Sequence, residues 1–99
     1  MVKSKTEVWQ FILYIAGATD KAVAALENIK KYCKENLTGK YDIIVVDLLK
    51  NPHLAETDQI FAIPTLVRKS PEPVRKVIGD LSNEEKVLVG LDMKPLEKK

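Results

Sequence analysis

The run Phe61-Ala62-Ile63-Pro64-Thr65-Leu66-Val67-Arg68 decides which fold the chain takes. Ile63 to Val67 reads as a strand, with Pro64 at its start, where a missing N–H costs no ladder bond. Ahead of it lies a segment whose local signals agree with one another. Behind it lies one whose signals conflict.

The preceding half is a strand–helix–strand unit. Glu7–Ile15 is the first strand: Trp9, Phe11, Leu13 and Ile15 share one face, and Val8, Ile12 and Tyr14 the other. Two apolar faces predict a central strand covered on both sides. Gly17-Ala18-Thr19-Asp20 is a turn, and Thr19 or Asp20 is placed to cap a helix. Val23, Leu26, Ile29, Cys33 and Leu37 recur at helical spacing, with Gly39 as the stop. Tyr41–Leu49 is the second strand, apolar and β-branched from Ile43 to Val46, and is expected to be buried on both faces. Such a unit has parallel strands and a right-handed crossover.

The following half is divided. Asn51-Pro52 predicts the start of a short helix reaching Phe61. Val74, Val77 and Ile78 fit a helix face, yet the segment is β-branched enough for a strand. Ser82 and Glu85 have the spacing of a capping box, which predicts a helix. Val87, Val89, Leu91 and Met93 alternate as a strand would, and Gly90 weakens a helix by about 1 kcal/mol relative to Ala. From residue 71 onward both assignments stay open. The tail, residues 94–99, is expected to fray, leaving one domain with its core over residues 5–93.

Composition excludes several functions. Sixteen basic and fourteen acidic residues leave a net charge of +2, without the basic stripe and interleaved aromatics of a nucleic-acid binder. The chain shows no signal-peptide pattern and no membrane-spanning run. One cysteine makes no internal disulfide, so a cytoplasmic location is expected. Cys33 lies on the apolar stripe of the helix and reads as a small core residue. His53 is the single histidine; with Glu56 and Asp58 it makes no ligand set, so no metal and no cofactor are expected. Glu84–Glu85 reads as a solvated face.

Ile63-Pro64-Thr65 behind a βαβ unit is similar to the second half of a thioredoxin, where a cis-proline faces the N-terminus of the first helix. That resemblance makes Pro64 the candidate cis-proline. The thioredoxin nucleophile would stand in the turn Gly17–Asp20, which holds no thiol. A thiol-disulfide or glutathione-dependent enzyme is the alternative this turn argues against.

Three stretches resemble the KaiB family: "YIAGATDKAVAALENI", "VVDLLKNPHLAETDQIFAIPTL" and "PEPVRKVIGDLSNEEKVLVGLDM". The match runs from about Lys5 to Met93. The resemblance implies a non-enzymatic protein of the bacterial clock, built around the ATPase KaiC. It implies a single α/β domain with two folds: a βαββααβ ground state in dimers and tetramers, expected of an oligomeric crystal, and a thioredoxin-like βαβαββα monomer that binds KaiC. In the ground state Val87–Met93 is expected to be a strand. Further partners implied are the chain itself, KaiA and an output histidine kinase. Gly90 and Asp92 stand where substitutions bias the switch in that family. Lys50, Asn51 and Pro52, with Asp42 and Gln59, are candidate partner-binding residues. Ala24, Asp42, Ile44 and Gln59 depart from the cyanobacterial pattern, and "KPLEKK" replaces a longer acidic tail. These departures point to a divergent KaiC and a role in stress adaptation. A sensory module like the N-terminal domain of SasA kinases is a third reading.

Overall fold

The computed structural model describes residues 8–37 and 40–93; Glu7, the Gly39 stop and the tail fall outside them. The elements in order are β1 (Trp9–Ile15), α1 (Asp20–Asn36), β2 (Tyr41–Asp47), a 3-10 turn (Pro52–Glu56), β3 (Thr65–Ser70), β4 (Arg75–Ile78) and α2 (Glu84–Gly90). The sheet order is β2-β1-β3-β4. β1 runs parallel to β2, and the β1–β3 and β3–β4 pairs are antiparallel. This is the thioredoxin-like arrangement of the two, with a single 3-10 turn in place of its middle helix.

Alternation divides the sheet into two faces. Phe11 and Leu13 of β1, Leu66 of β3 and Val77 of β4 pack with Ala25, Ile29 and Cys33 of α1 and with Val87, Leu88 and Leu91 at α2 to form the core. Tyr14 points to the opposite face and is equally buried. β1 is central and covered on both sides, as its sequence requires.

β2 departs from the sequence reading. It is an edge strand, and Ile44 and Val45 are 54% and 42% exposed. A continuous β-branched run reports preference for extended backbone; it does not report how many neighbours the strand has.

The buried stripe of α1 is also displaced. Ala22, Ala25, Ile29, Tyr32 and Cys33 face the core, while Val23 is 51% exposed. Small alanines let the helix sit close on the sheet, so the contact face runs through them. Thr19 is the N-cap, its Oγ1 accepting from Ala22 N–H at 3.1 Å.

The second half resolves toward strand, strand, helix. β4 is a strand, and Val87–Gly90 is helical. The α2 cap is Asn83, whose Oδ1 accepts from Lys86 N–H at 3.1 Å. Ser82 lies one residue before the cap, its N–H donating to Asp80 Oδ1 at 3.0 Å. Glu84 and Glu85 occupy the first turn of α2, where a helix N-terminus favours acidic residues. α2 ends in a Schellman motif: Met93 N–H donates to Leu88 C=O at 2.8 Å and Asp92 N–H to Val89 C=O at 3.0 Å. The helix expected over Asn51–Phe61 shrinks to Pro52–Glu56, and Asn51 makes no side-chain cap bond. Gln59 then takes φ +56°, which turns the chain out of any helix.

Candidate functional site

The turn after β1 meets the strand start at Pro64. Ala16, Thr19, Asp20, Lys21, Ala22, Ile63 and Pro64 line a cavity of about 390 Å³ there, and the Ile63–Pro64 bond is cis. In a thioredoxin-like fold this is where a nucleophilic thiol would work. Cys33 lies fourteen residues into the chain beyond Thr19, about 21 Å along the helix axis. Its side chain is fully buried. Burial pushes its thiol up to about 12, so at neutral pH it is neither ionised nor accessible, the two conditions for thiol exchange. The cavity is therefore lined by small and apolar groups with Thr19, Asp20 and Lys21, without a thiol.

The second face of the sheet carries a polar group of a different kind. Tyr14 Oη donates to Asp58 Oδ2 at 2.6 Å, and Lys69 Nζ pairs with Asp58 Oδ1 at 2.6 Å. Asp58 is buried. Burial by itself would raise its pKa; the hydrogen bonds from Lys69 and Tyr14, with the lysine charge, outweigh it and hold the carboxyl below the usual range. Burial and the facing carboxylate push the Tyr14 hydroxyl up. This network fastens the segment after the 3-10 turn to the sheet.

Two further anchors hold α2 and the loops before it. Asn28 Nδ2 donates to the Asp80 carbonyl at 2.9 Å and Tyr32 Oη to the Leu81 carbonyl at 2.6 Å, tying α1 to the loop before α2. Arg68, 1% exposed, donates from Nη1 to the Leu91 carbonyl at 2.5 Å and from Nη2 to the Pro73 carbonyl at 2.6 Å. Its guanidinium lies 5.4 Å from the Trp9 ring centroid, within cation–π range.

The residues singled out from the sequence fall into separate groups. Gly90 and Asp92 lie together at the end of α2: Gly90 is its last residue, and Asp92 follows the Leu91 cap with φ +60°. Lys50, Asn51 and Pro52 form an exposed turn after β2. Asp42 is exposed near the start of that strand, about 17 Å from its far end. Gln59 sits across the sheet, its carbonyl 3.3 Å from Lys76 Nζ of β4. The five partner-binding candidates therefore do not gather into one patch.

Sequence reasoning passed over the Tyr14–Asp58–Lys69 group and Arg68. Asp58 read as a residue of an exposed helix, and nothing local pairs it with Tyr14, forty-four positions away. Arg68 did leave a signal: it shares the core face with Leu66 by strand alternation, and a charge at such a position requires buried partners.

The KaiB domain model matches residues 12–93. The chain belongs to the KaiB family. The protein named circadian clock oscillator protein KaiB from Microcystis aeruginosa is 54% identical over 81 residues, 82% of this chain and 78% of that one. Its namesake from Nostoc punctiforme is 47% identical over 93 residues, 94% of this chain and 88% of that one. Among solved structures, the N-terminal domain of Synechococcus elongatus SasA superposes with a TM-score of 0.73 at 15% identity, covering 99% of this chain and 96% of the other. Mitochondrial thioredoxin 3 from Saccharomyces cerevisiae gives 0.65 at 18% identity, covering 89% and 80%. These last two speak to the fold. Within the KaiB family, this chain presents the thioredoxin-like arrangement with the thiol position of the turn filled by Gly17-Ala18-Thr19-Asp20.

Proposed function

We propose that the chain is a non-catalytic clock or timing regulator that binds a KaiC-type ATPase in the thioredoxin-like form and modulates its cycle. The observation that carries this reading is membership of the KaiB family across residues 12–93, joined to a thioredoxin-like frame whose single cysteine is sealed in the core. Binding needs a presented surface and no nucleophile.

The same reading includes a second, oligomeric arrangement in which the second half is rebuilt and residues 87–93 become a strand. Two packings of one sequence coexist when they differ by a few kcal/mol, and self-association adds to one of them by mass action. Gly90 and Asp92 are then the residues that set the balance, and the Lys50–Pro52 turn, Asp42 and Gln59 contribute to partner surfaces. KaiA-like proteins or output kinases are further partners of the bound form, and the cytoplasm is its place of action.

Size-exclusion chromatography of the chain with a KaiC-type ATPase from the same organism tests this. Co-elution with a changed ATP hydrolysis rate is expected. Separate elution over a range of concentrations and nucleotide states, with hydrolysis unchanged, rejects it.

A further inference from the structure

β4 is the second edge of the sheet, and its free side has a defined chemistry. Gly79 N–H donates to the Pro64 carbonyl at 2.9 Å, and the register pairs Thr65 with Ile78 and Val67 with Lys76. In an antiparallel ladder hydrogen-bonded and non-bonded pairs alternate. Residues 79, 77 and 75 therefore turn their backbone groups toward β3, and Lys76 and Ile78 turn theirs outward. Both are exposed. Beside this edge, Lys76, Val77, Ile78, Lys86 and Gly90 line a groove of about 320 Å³ between β4 and α2. The groove stays open because Gly90 has no side chain there; a Cβ on it would meet Val77 Cγ2 at 3.1 Å. The charged side chain on the groove side is that of Lys86, a cation; Lys76 turns its own to the opposite face, where Nζ lies 3.3 Å from the Gln59 carbonyl. The one acid in the adjoining recess, Asp80, turns a carboxylate oxygen to its own Ser82 N–H.

We propose that the β4 edge is a docking site for an extended acidic segment of a partner protein, added as a further strand against Lys76 and Ile78. Only extended backbone presents N–H and C=O groups at the spacing these two residues demand, which is the logic of strand addition. Side chains of the added strand alternate between faces. Those on the core side enter the groove at Gly90, where Lys86 favours a carboxylate, which leaves the apolar positions for the face that carries Ile78. Those on the other side meet Ile78 and Lys76. The segment that fits alternates acidic and apolar residues. A second copy of this chain fits poorly, because it would bring another Lys76 and another Lys86 to the same four-residue strand, like charge against like.

Titration of the ¹⁵N-labelled full chain with the capped peptide acetyl-Glu-Val-Glu-Val-Glu-amide tests the assignment. Expected are shifts and slowed exchange of the Lys76 and Ile78 amides, with weaker effects at Lys86 and Gly90. Replacing each Glu by Lys, or each Val by Pro, is expected to weaken binding by at least about threefold, the first through charge and the second through lost backbone donors. Ile78→Pro removes an outward N–H that the ladder does not use, so the sheet survives while binding is lost. Lys86→Glu, on the exposed face of α2, weakens the acidic peptide independently of the strand. The proposal is overturned by shifts confined to the β2 edge, by equal binding of the lysine peptide, by Ile78→Pro and Lys86→Glu both binding as the parent does, or by no shift at millimolar peptide. Self-association through β4, seen as concentration-dependent shifts of Lys76 and Ile78 without peptide, also overturns it.

Discussion

Arg68 reaches from β3 to the end of α2, where its Nη1 meets the Leu91 carbonyl at 2.5 Å while its Nη2 holds the Pro73 carbonyl of the β3–β4 loop at 2.6 Å. One buried guanidinium thus joins the end of α2 to the hairpin that precedes it. Arg68→Met keeps the volume and removes both donors, leaving two carbonyls short of a partner at about 1–3 kcal/mol each if they stay dry. Part of that is returned because a desolvated charge is also removed. The effect is therefore read locally: hydrogen exchange of the Val87–Leu91 amides should accelerate far more than that of β1 and α1. Arg68→Lys, with one point-like head, should recover one bond and part of the protection. Uniform acceleration over the whole chain would show that Arg68 supports the core in general and not α2 in particular.

These contacts explain how far the sequence could be read. The β1–α1–β2 unit is decided by local pattern: its order and parallel pairing were legible, and its cap was narrowed to Thr19 or Asp20. What was not legible is position within the sheet: Ile44 and Val45 look like interior residues and lie at an edge. From residue 71 onward the pattern is balanced, and the balance is tipped from outside the segment. Tyr32 and Asn28 hold the Asp80–Leu81 carbonyls, and Arg68 holds that of Leu91. No periodicity within residues 82–93 encodes those partners.

Asp58 gives the acid limb of stability. Its folded-state pKa lies below the unfolded value of about 3.9. The stabilisation is therefore fully present above about pH 4 and is lost as pH falls through the lower folded value. Asp58→Asn should keep the Tyr14 contact, lose the Lys69 ion pair, and flatten the pH dependence below about pH 4. Urea midpoints measured between neutral and acid pH check this. Parallel curves for the two proteins would remove Asp58 from the acid transition.

Cys33 should behave as a buried hydrophobe. With its thiol pushed up to about 12 by burial, reaction with a disulfide reagent at neutral pH requires the core to open first. The rate should fall well below that of a free thiol and rise steeply in denaturant. Cys33→Ala should leave partner binding unchanged and cost roughly 1 kcal/mol through the lost sulfur contacts. Fast labelling of the native protein would revive a thiol-based activity.

Gly90→Ala sets helix propensity against crowding. The exchange favours helix by up to about 1 kcal/mol, less at a terminal position. Against this, the new methyl meets Val77 Cγ2 at 3.1 Å, and Val77 must give by a few tenths of an ångström. Because Val77 borders the open groove beside β4, it has room to turn. The expected result is a modest gain in α2 protection, more monomer, and tighter association with a KaiC-type ATPase. In the Val77→Ala background the same exchange should gain more, since the contact is gone. An equal gain in both backgrounds would mean the crowding is immaterial, and an unchanged oligomeric state would count against Gly90 as a control point.

Asp92 offers the sharpest reading of the α2 terminus. It takes φ +60° at the residue after the cap, where a Schellman motif calls for glycine. It also sets a carboxylate at the negative end of the helix. Two separable costs follow, one of conformation and one of charge. Asp92→Asn removes the charge and keeps a side chain that tolerates the left-handed region, for about 0.3 kcal/mol or somewhat more. Asp92→Gly removes both, for about 0.5–1 kcal/mol. Asp92→Val removes the charge but forces a β-branched residue into that region, at a net cost of about 1 kcal/mol or more. Exchange protection of α2 should therefore rank Gly above Asn, Asn above the parent, and Val last. Equal gains for Asn and Gly would assign the whole effect to charge. A valine variant as protected as the parent would show that α2 does not end in the left-handed turn on which its stop depends.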